Sequence, residues 1–392
     1  MTPSAPDPTR AAARPPGRAR PFAKAAAAAY RYRVYLLCTI IFAVMGAAAP
    51  HFLTPGNFSN VLKGTSTNLP AAVGFTIVLI AGQLDLSVGS AMTMGGILVM
   101  GLSPSLGWAG AFGVAVLCGL GLGLTNGLLV AKARINSFIV TLGTMIIVYN
   151  AMAIYCRGGT IPATTFALSD FLQRPVVDLD PRGAPPALLW LTLWLTPRNL
   201  VSLAVMAAAA VFLRRTPAGR GLHLMGGNPQ AAWYSGLHVD RYVIGAFALS
   251  GLLAAVGGAV VAAGEAAGSL KLGENSLMTI VAAVIIGGTS MEGGKGTVVG
   301  TTVALVALTA LINGLSCLGA GHEVQLVASG LVLALIILYD AYWLHRRQRR
   351  RGQRKDLLEE LQARAASDPP AGRGSQGAPS APGPGREGRS HG

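Results

Sequence analysis

Apolar stretches recur along the chain from about residue 34 to residue 344, each bounded by Gly, Pro or charged positions. Reading the windows between polar breaks gives ten candidate spans: 34–50, 69–82, 88–104, 108–131, 137–156, 187–213, 242–264, 276–289, 297–317 and 323–344. The pattern predicts an all-α integral membrane protein of about ten transmembrane helices. The second and eighth windows hold only 14 residues each, short of the ~20 that cross a hydrocarbon core. Residues 1–33 and 345–392 flank the spans as basic tails. Their outer parts are rich in Pro, Ala, Gly, Ser and Arg, a composition that buries no core and reads as disordered. The organisation is therefore a tail of 1–33, a membrane domain of 34–344 and a tail of 345–392.

Composition removes the soluble alternatives. Of 392 residues, 52% are hydrophobic and 12% charged, with a mean hydropathy of +0.51. A soluble domain carries about 25% charged residues, so an ordinary soluble enzyme is excluded. The net charge of +15 sits mostly in the tails, which carry +12 of it. That distribution marks a membrane protein with basic ends, not a partner of nucleic acid. With the N-terminus inside, the inner loops hold Lys132, Arg134, Arg214, Arg215, Arg220, Arg241 and Lys295, and the outer loops are nearly balanced. The positive-inside bias thus places both termini in the cytoplasm. Arg198 falls inside the sixth window, so the true span is expected to begin near Leu200, with 188–196 at the outer interface. The first apolar stretch follows a long Pro/Arg/Ala tail without a cleavage context and reads as a retained span. The patch 346–351 reads as a cytoplasmic anchor, with binding of anionic lipid as the alternative. Cys38, Cys118, Cys156 and Cys317 lack metal spacing and read as small apolar residues; Cys156 and Cys317, both near outer helix ends, leave a disulfide open.

Four stretches ask for more than bilayer crossing. In Gly82-Gln83-Leu84-Asp85-Leu86-Ser87-Val88-Gly89-Ser90 an acid is flanked by apolar runs. At membrane depth such an acid is functional or paired inside the bundle; in a tight cytoplasmic turn it caps the following helix. Both readings stand. Gly287-Gly288-Thr289-Ser290-Met291-Glu292-Gly293-Gly294-Lys295-Gly296 resembles a phosphate loop but lacks its spacing, since Lys295 precedes Gly and Thr289 stands where a Gly is required. The chain therefore has no ATP site of this type. These two breaks adjoin the two short windows, one in each half, which points to a transporter built from two inverted five-helix halves. Between Arg220 and Leu237, Asn228 is positioned as an N-cap, Pro229 as the first helical residue and Gly236 as the terminator of a one-to-two-turn helix. Such a helix either docks into a soluble partner or lies on the membrane, held by Trp233 and Tyr234. Gly119, Gly123 and Gly127 form a packing stripe, and Asn126, Asn150 and Asn313 either bond between helices or meet a solute.

These residues resemble a known family. Gly82–Ser90 is similar to the G-G-I-D-L-S-V-G-S signature of bacterial ABC-type monosaccharide permeases, the ribose, xylose, arabinose and galactose group. Asn136–Thr144 is similar to its N-x-F-I-x-T-L-G-T, Thr216–Arg220 with Gly226–Pro229 and Ala231–Gly236 to its cytoplasmic loop, and Gly287–Gly296 to its G-G-T-S-L-x-G-G-x-G. Gln83 stands where Gly is commoner, and 157–198 is longer than in compact members. The resemblance implies a type II-like importer permease in the plasma (inner) membrane, working as a pair of permease subunits. A cytoplasmic ATPase with two nucleotide-binding halves would hold ATP and magnesium, and an extracytoplasmic sugar-binding protein would deliver substrate. This chain would bind no cofactor or metal and carry no catalytic residue. Asn228, Pro229, Ala231, Ala232, Ser235 and Gly236 would form the coupling helix. Asp85, Ser87, Gly89, Asn136, Thr141, Gly287, Gly288, Thr289 and Ser290 are expected at the translocation path or its helix breaks. The competing readings are the same architecture for autoinducer-2 or a branched-chain amino acid, and an ion-coupled secondary carrier.

Overall fold

In a computed structural model, residues 32–176 and 194–339, with 342 and 359, are described. Expectations for both tails, for 346–351 and for 188–193 lie outside these residues. The described chain is helical: α1 Arg33–Ala48, α2 Pro55–Ile80, α3 Val88–Ala131, α4 Ser137–Tyr155, α5 Ala167–Gln173, α6 Pro197–Arg215, α7 Pro217–Gly227, α8 Pro229–Tyr234, α9 Val239–Glu265, α10 Lys271–Ile286, α11 Val298–Cys317 and α12 His322–Tyr339. A two-residue antiparallel pair, β1 Ile161–Pro162 with β2 Ala267–Gly268, is the sheet among the described residues. Six of the described helices are long and apolar enough to cross a bilayer. The chain forms two units, Met1–Leu335 and Ile336–Gly392, and the helical bundle from α1 to α11 belongs to the first.

Polar residues explain why windows and helices differ. The window 69–82 is the end of the 26-residue α2, which starts at Pro55 behind a Thr54 cap. Its polar first half stays helical because Thr65 donates to the Val61 carbonyl (2.8 Å) and Ser66 to that of Lys63 (3.2 Å). Hydroxyls that bond back to their own helix need no water, so the helix runs well beyond its apolar window. The windows 88–104 and 108–131 form one unbroken assignment of 44 residues, yet the chain reverses within it at Gly107 (φ 69°). Asn126 bonds Ser87 at 2.9 Å, whereas a straight helix would hold them about 58 Å apart. The sixth window shrinks to α6, where Arg198 is buried in the first turn behind the Thr196 cap. The eighth remains short, since α10 has 16 residues.

α9 is the centre of the bundle. Its Ala- and Gly-rich surface accepts both legs of α3, which run in opposite directions along it. A β-carbon on Gly258 would collide with the Met92 carbonyl oxygen, and one on Gly123 with that of Phe247. The glycine stripe is thus a close-packing surface, the means by which helices associate where lipid removes the hydrophobic drive. α2 closes against α9 from another side, Gly74 meeting Ser250, and Thr76 bonds Thr301 of α11 at 3.0 Å. A second cluster joins α1 to α11 through Ile41, Met45, Phe52, Val61, Ala307 and Leu311. At the far end α5 packs Leu168 and Leu172 over Val99, Met100 and Ala259. All four cysteines are free, so Cys156 and Cys317 form no disulfide, and Cys118 is exposed where a buried residue was expected.

Candidate functional site

Two of the sequence motifs build one polar lock. Between α2 and α3 the chain turns back into the bundle, and Asp85 is 1% exposed. One carboxylate oxygen accepts the Ser87 N–H (3.0 Å) and the Ser87 hydroxyl (2.5 Å), and the other accepts the Ser250 hydroxyl (2.8 Å). Asn126 donates to the Ser87 oxygen, so α9, the turn and the second leg of α3 share the acid. The motif 136–144 holds the same turn from α4: Leu84 N–H donates to the Ser137 hydroxyl oxygen (3.2 Å) and Leu86 N–H to that of Thr141 (3.1 Å). Asn136 caps α4 by accepting the Phe138 N–H at 2.9 Å. Ser250 lies eleven residues into α9, about 16 Å along it, so Asp85 sits well inside the bundle. Of the two readings, pairing inside the bundle is the one the structure shows; the cap position of α3 is Ser87, without a side-chain cap bond, and Asp85 is no helix cap. Asp85 makes the turn ahead of α3, and it is paired within the protein, as an acid at this depth must be.

The other two motifs meet in a glycine junction. Gly294, at φ 72°, donates its N–H to the Ile80 carbonyl (2.8 Å), and its own carbonyl contacts His223 Nδ1 of α7 at 3.2 Å. A β-carbon on Gly226 would collide with the Ile80 oxygen and lie 2.6 Å from the Gly294 nitrogen. One on Gly293 would meet Gly226 and Gly82 at 2.6 Å. The end of α2, the C-terminal turn of α7 and the loop after α10 therefore touch backbone to backbone. This end of the bundle also carries Lys132, whose ammonium is 2.6 Å from Asp240, Arg214 and Arg215 in the last turn of α6, and Arg220 of α7.

α8 follows this junction directly. Asn228 accepts the Ala231 N–H (3.0 Å), Pro229 opens the helix and Gly236 closes it at φ 82°. Ala232 is 3% exposed and faces the rest of the chain, whereas Trp233 and Tyr234 are 65% and 81% exposed. Within the expected coupling set, then, Ala232 is the anchor, and the free face is that of Gln230, Trp233 and Tyr234.

The expected path residues divide. Gly287 packs on Thr301, Gly288 turns at φ 89°, and Ser290 closes the loop by donating its N–H to the Lys295 carbonyl (2.9 Å). The buried Thr289 hydroxyl has no partner among the described residues. These four shape a turn, and Asp85, Ser87, Asn136 and Thr141 belong to the lock. Of the set, Gly89 borders a cavity shared with Tyr149, Asn150, Glu274 and Asn275. Sequence reading missed Tyr149, Glu274 and Asn275. It placed Glu274 in an outer loop, and the signal was its position at the head of the short eighth span. Among the described residues no group of His, Cys, Asp and Glu could hold a metal.

The described residues form a helical bundle with six helices long and apolar enough to cross a membrane, the architecture of a multi-pass membrane protein. Residues 57–339 match the family described as "Branched-chain amino acid transport system / permease component", and the chain belongs to that family. It is 31% identical over 304 residues to the ribose import permease protein RbsC of Escherichia coli, covering 77% of this chain and 90% of that one. Against RbsC of Bacillus subtilis the identity is 32% over 311 residues, 77% and 89% of the two chains. The xylose transport system permease protein XylH of Escherichia coli is 29% identical over 337 residues, 74% and 86% of each. No solved structure matches the chain.

Proposed function

We propose that this chain is the membrane-spanning permease subunit of an ATP-driven ABC importer for a monosaccharide of the ribose, xylose and arabinose kind. The observation that carries the reading is the position of α8. It exposes Trp233 and Tyr234 at the basic end and is joined by one residue to α7, whose glycine face touches the ends of α2 and of the loop after α10. Movement imposed on α8 by a partner would reach both re-entries through backbone contact. A neutral solute suits the bundle, because the buried Asp85 is bonded to two hydroxyls and one amide and, among the described residues, to no base.

In this reading ATP and magnesium are held by a cytoplasmic ATPase with two nucleotide-binding halves, whose groove receives the free face of α8. Closure of that ATPase rocks the bundle between inward- and outward-open states. The reversal at Gly107 makes two spans of α3, giving ten in all, arranged as two five-helix halves. The basic end faces the cytoplasm of a bacterial cell, with both termini there and the bilayer crossed as an inner-membrane protein. A second permease copy and an extracytoplasmic sugar-binding protein complete the importer. α4, mostly exposed along its apolar length, supports a packing partner in the membrane.

The test is reconstitution of the chain with its ATPase and binding protein in proteoliposomes. ATP-dependent uptake of radiolabelled ribose, xylose or arabinose supports the reading; uptake of branched-chain amino acids instead would assign the other solute that the family's description names.

A further inference from the structure

α10 begins inside the bundle rather than at its surface. Thr93 of α3 accepts the Gly273 N–H (3.2 Å) and donates to the Leu270 carbonyl (3.3 Å). A β-carbon on Gly273 would collide with the Gly89 oxygen. On the same stretch of α3, Met92 packs on Gly258 of α9, seven residues short of that helix's end at Glu265. The first turn of α10 is therefore about 10 Å inward from the end of α9. Glu274 and Asn275 stand on that turn, at membrane depth.

They do not face packed protein. With Tyr149 and Asn150 of α4 they border a cavity of about 580 Å³, closed on its apolar side by Met145 and Met278. That volume falls within the ~300–1,000 Å³ typical of small-molecule sites. Asn150 donates its amide N–H to the Ile146 carbonyl (2.8 Å), and its oxygen accepts no bond among the described residues. Among the described residues, no hydrogen bond or ion pair engages the Glu274 carboxylate, the Asn275 amide or the Tyr149 hydroxyl. Polar side chains at this depth pair with one another or line a watered passage; here the Glu274 carboxylate, the Asn275 amide, the Tyr149 hydroxyl and the Asn150 oxygen have no partner among the described residues and border one space.

We propose that this cavity is where the permease holds the sugar in transit, with Tyr149, Asn150, Glu274 and Asn275 as its contacts. The proposal rests on the importer reading above and names the residues that serve it. The chemistry suits a neutral polyol. A carboxylate and an amide oxygen accept several hydroxyls, an aromatic ring covers the C–H face of the ring, and adaptable methionines fill around it. With no base in the cavity lining, a zwitterionic amino acid would leave its carboxylate unpaired.

The experiment compares variants in the reconstituted importer, reading ATP-driven uptake of ribose and xylose, ATPase association and binding-protein-stimulated ATP hydrolysis. Tyr149→Ala, Asn150→Leu and Glu274→Gln should each lower uptake about tenfold or more, with association and hydrolysis within about twofold of wild type. The ratio of ribose to xylose uptake should also shift, and Tyr149→Phe should restore most activity. Val211→Ala, on the exposed side of α6 (58% exposed), should transport normally. Wild-type uptake and unchanged sugar ratios in all three variants would remove the cavity from the path. Parallel loss of hydrolysis would make these residues structural and overturn the assignment as well. A wild-type importer that assembles and hydrolyses ATP but moves neither sugar would be a failure of the substrate reading, recognised before any variant is compared, and the sugar assignment would fall with it.

Discussion

The two re-entrant turns, 82–87 and 287–297, look equivalent as sequence, since both are Gly-rich and both adjoin a short apolar window. Their physics differ. The first is held by side chains: one carboxylate, four hydroxyls and an amide, from the turn itself and from α3, α4 and α9. The second is held mainly by close backbone contact, Gly226, Gly293 and Gly294 lying where a β-carbon would collide, with one backbone bond to Ile80 and one contact to His223. Several side-chain hydrogen bonds from three helices fix the first arrangement, whereas across the glycine junction only the Gly294 bonds to Ile80 and His223 are directional and the rest is close backbone contact. The lock is thus suited to keep α3 and α9 together during transport, and the junction to pass movement from α8.

The largest break in this contrast comes from bulk at the junction. Gly226→Val should separate α7 from Ile80 at a cost of about 3 kcal/mol or more, read as a fall in the thermal midpoint of purified protein and loss of ATPase coupling. Next is the exposed face of α8. Replacing Trp233 and Tyr234 together by Ala should weaken ATPase association by at least about tenfold, as for an interface hot spot, with membrane insertion and thermal midpoint unchanged. A charge at Ala232 is a poorer probe, because that side chain is buried. For the lock, Asp85→Leu should cost about 1–3 kcal/mol for each hydroxyl left unpaired. Asp85→Asn, which keeps the acceptor for Ser87, should retain most stability and transport. Near-complete loss of transport in a stable Asp85→Asn protein would show that the charge itself is used. The smallest effect is expected at Thr289, whose buried hydroxyl has no partner among the described residues. Thr289→Val should be neutral or slightly stabilising and leave uptake unchanged, whereas a transport defect would return this turn to the passage.

Much of this was legible in the sequence because the local rules act locally. Asn228, Pro229 and Gly236 announce the bounds of α8, and the stripe Gly119, Gly123, Gly127 announces a close helix contact. Depth was not legible. Hydropathy stops a span at Thr65–Asn68, yet hydroxyls bonded to the preceding turn carry α2 through. Glu274 looked like a loop residue because nothing local reveals that Gly273 seats α10 on Gly89, inside the bundle. The direction of α8 was equally hidden: six residues do not say which of Ala232 and Trp233 faces the partner until α7 and α9 fix the helix.

The central claim is that a partner ATPase drives this bundle through α8. Its most direct measurement is purification of the chain from native membranes in mild detergent, as wild type and with Trp233 and Tyr234 replaced by Ala, with mass spectrometry of what accompanies each. The account predicts an ATPase with two nucleotide-binding halves beside the wild type and its loss from the variant. A wild-type chain recovered alone, and driving uptake in liposomes without ATP, would contradict it.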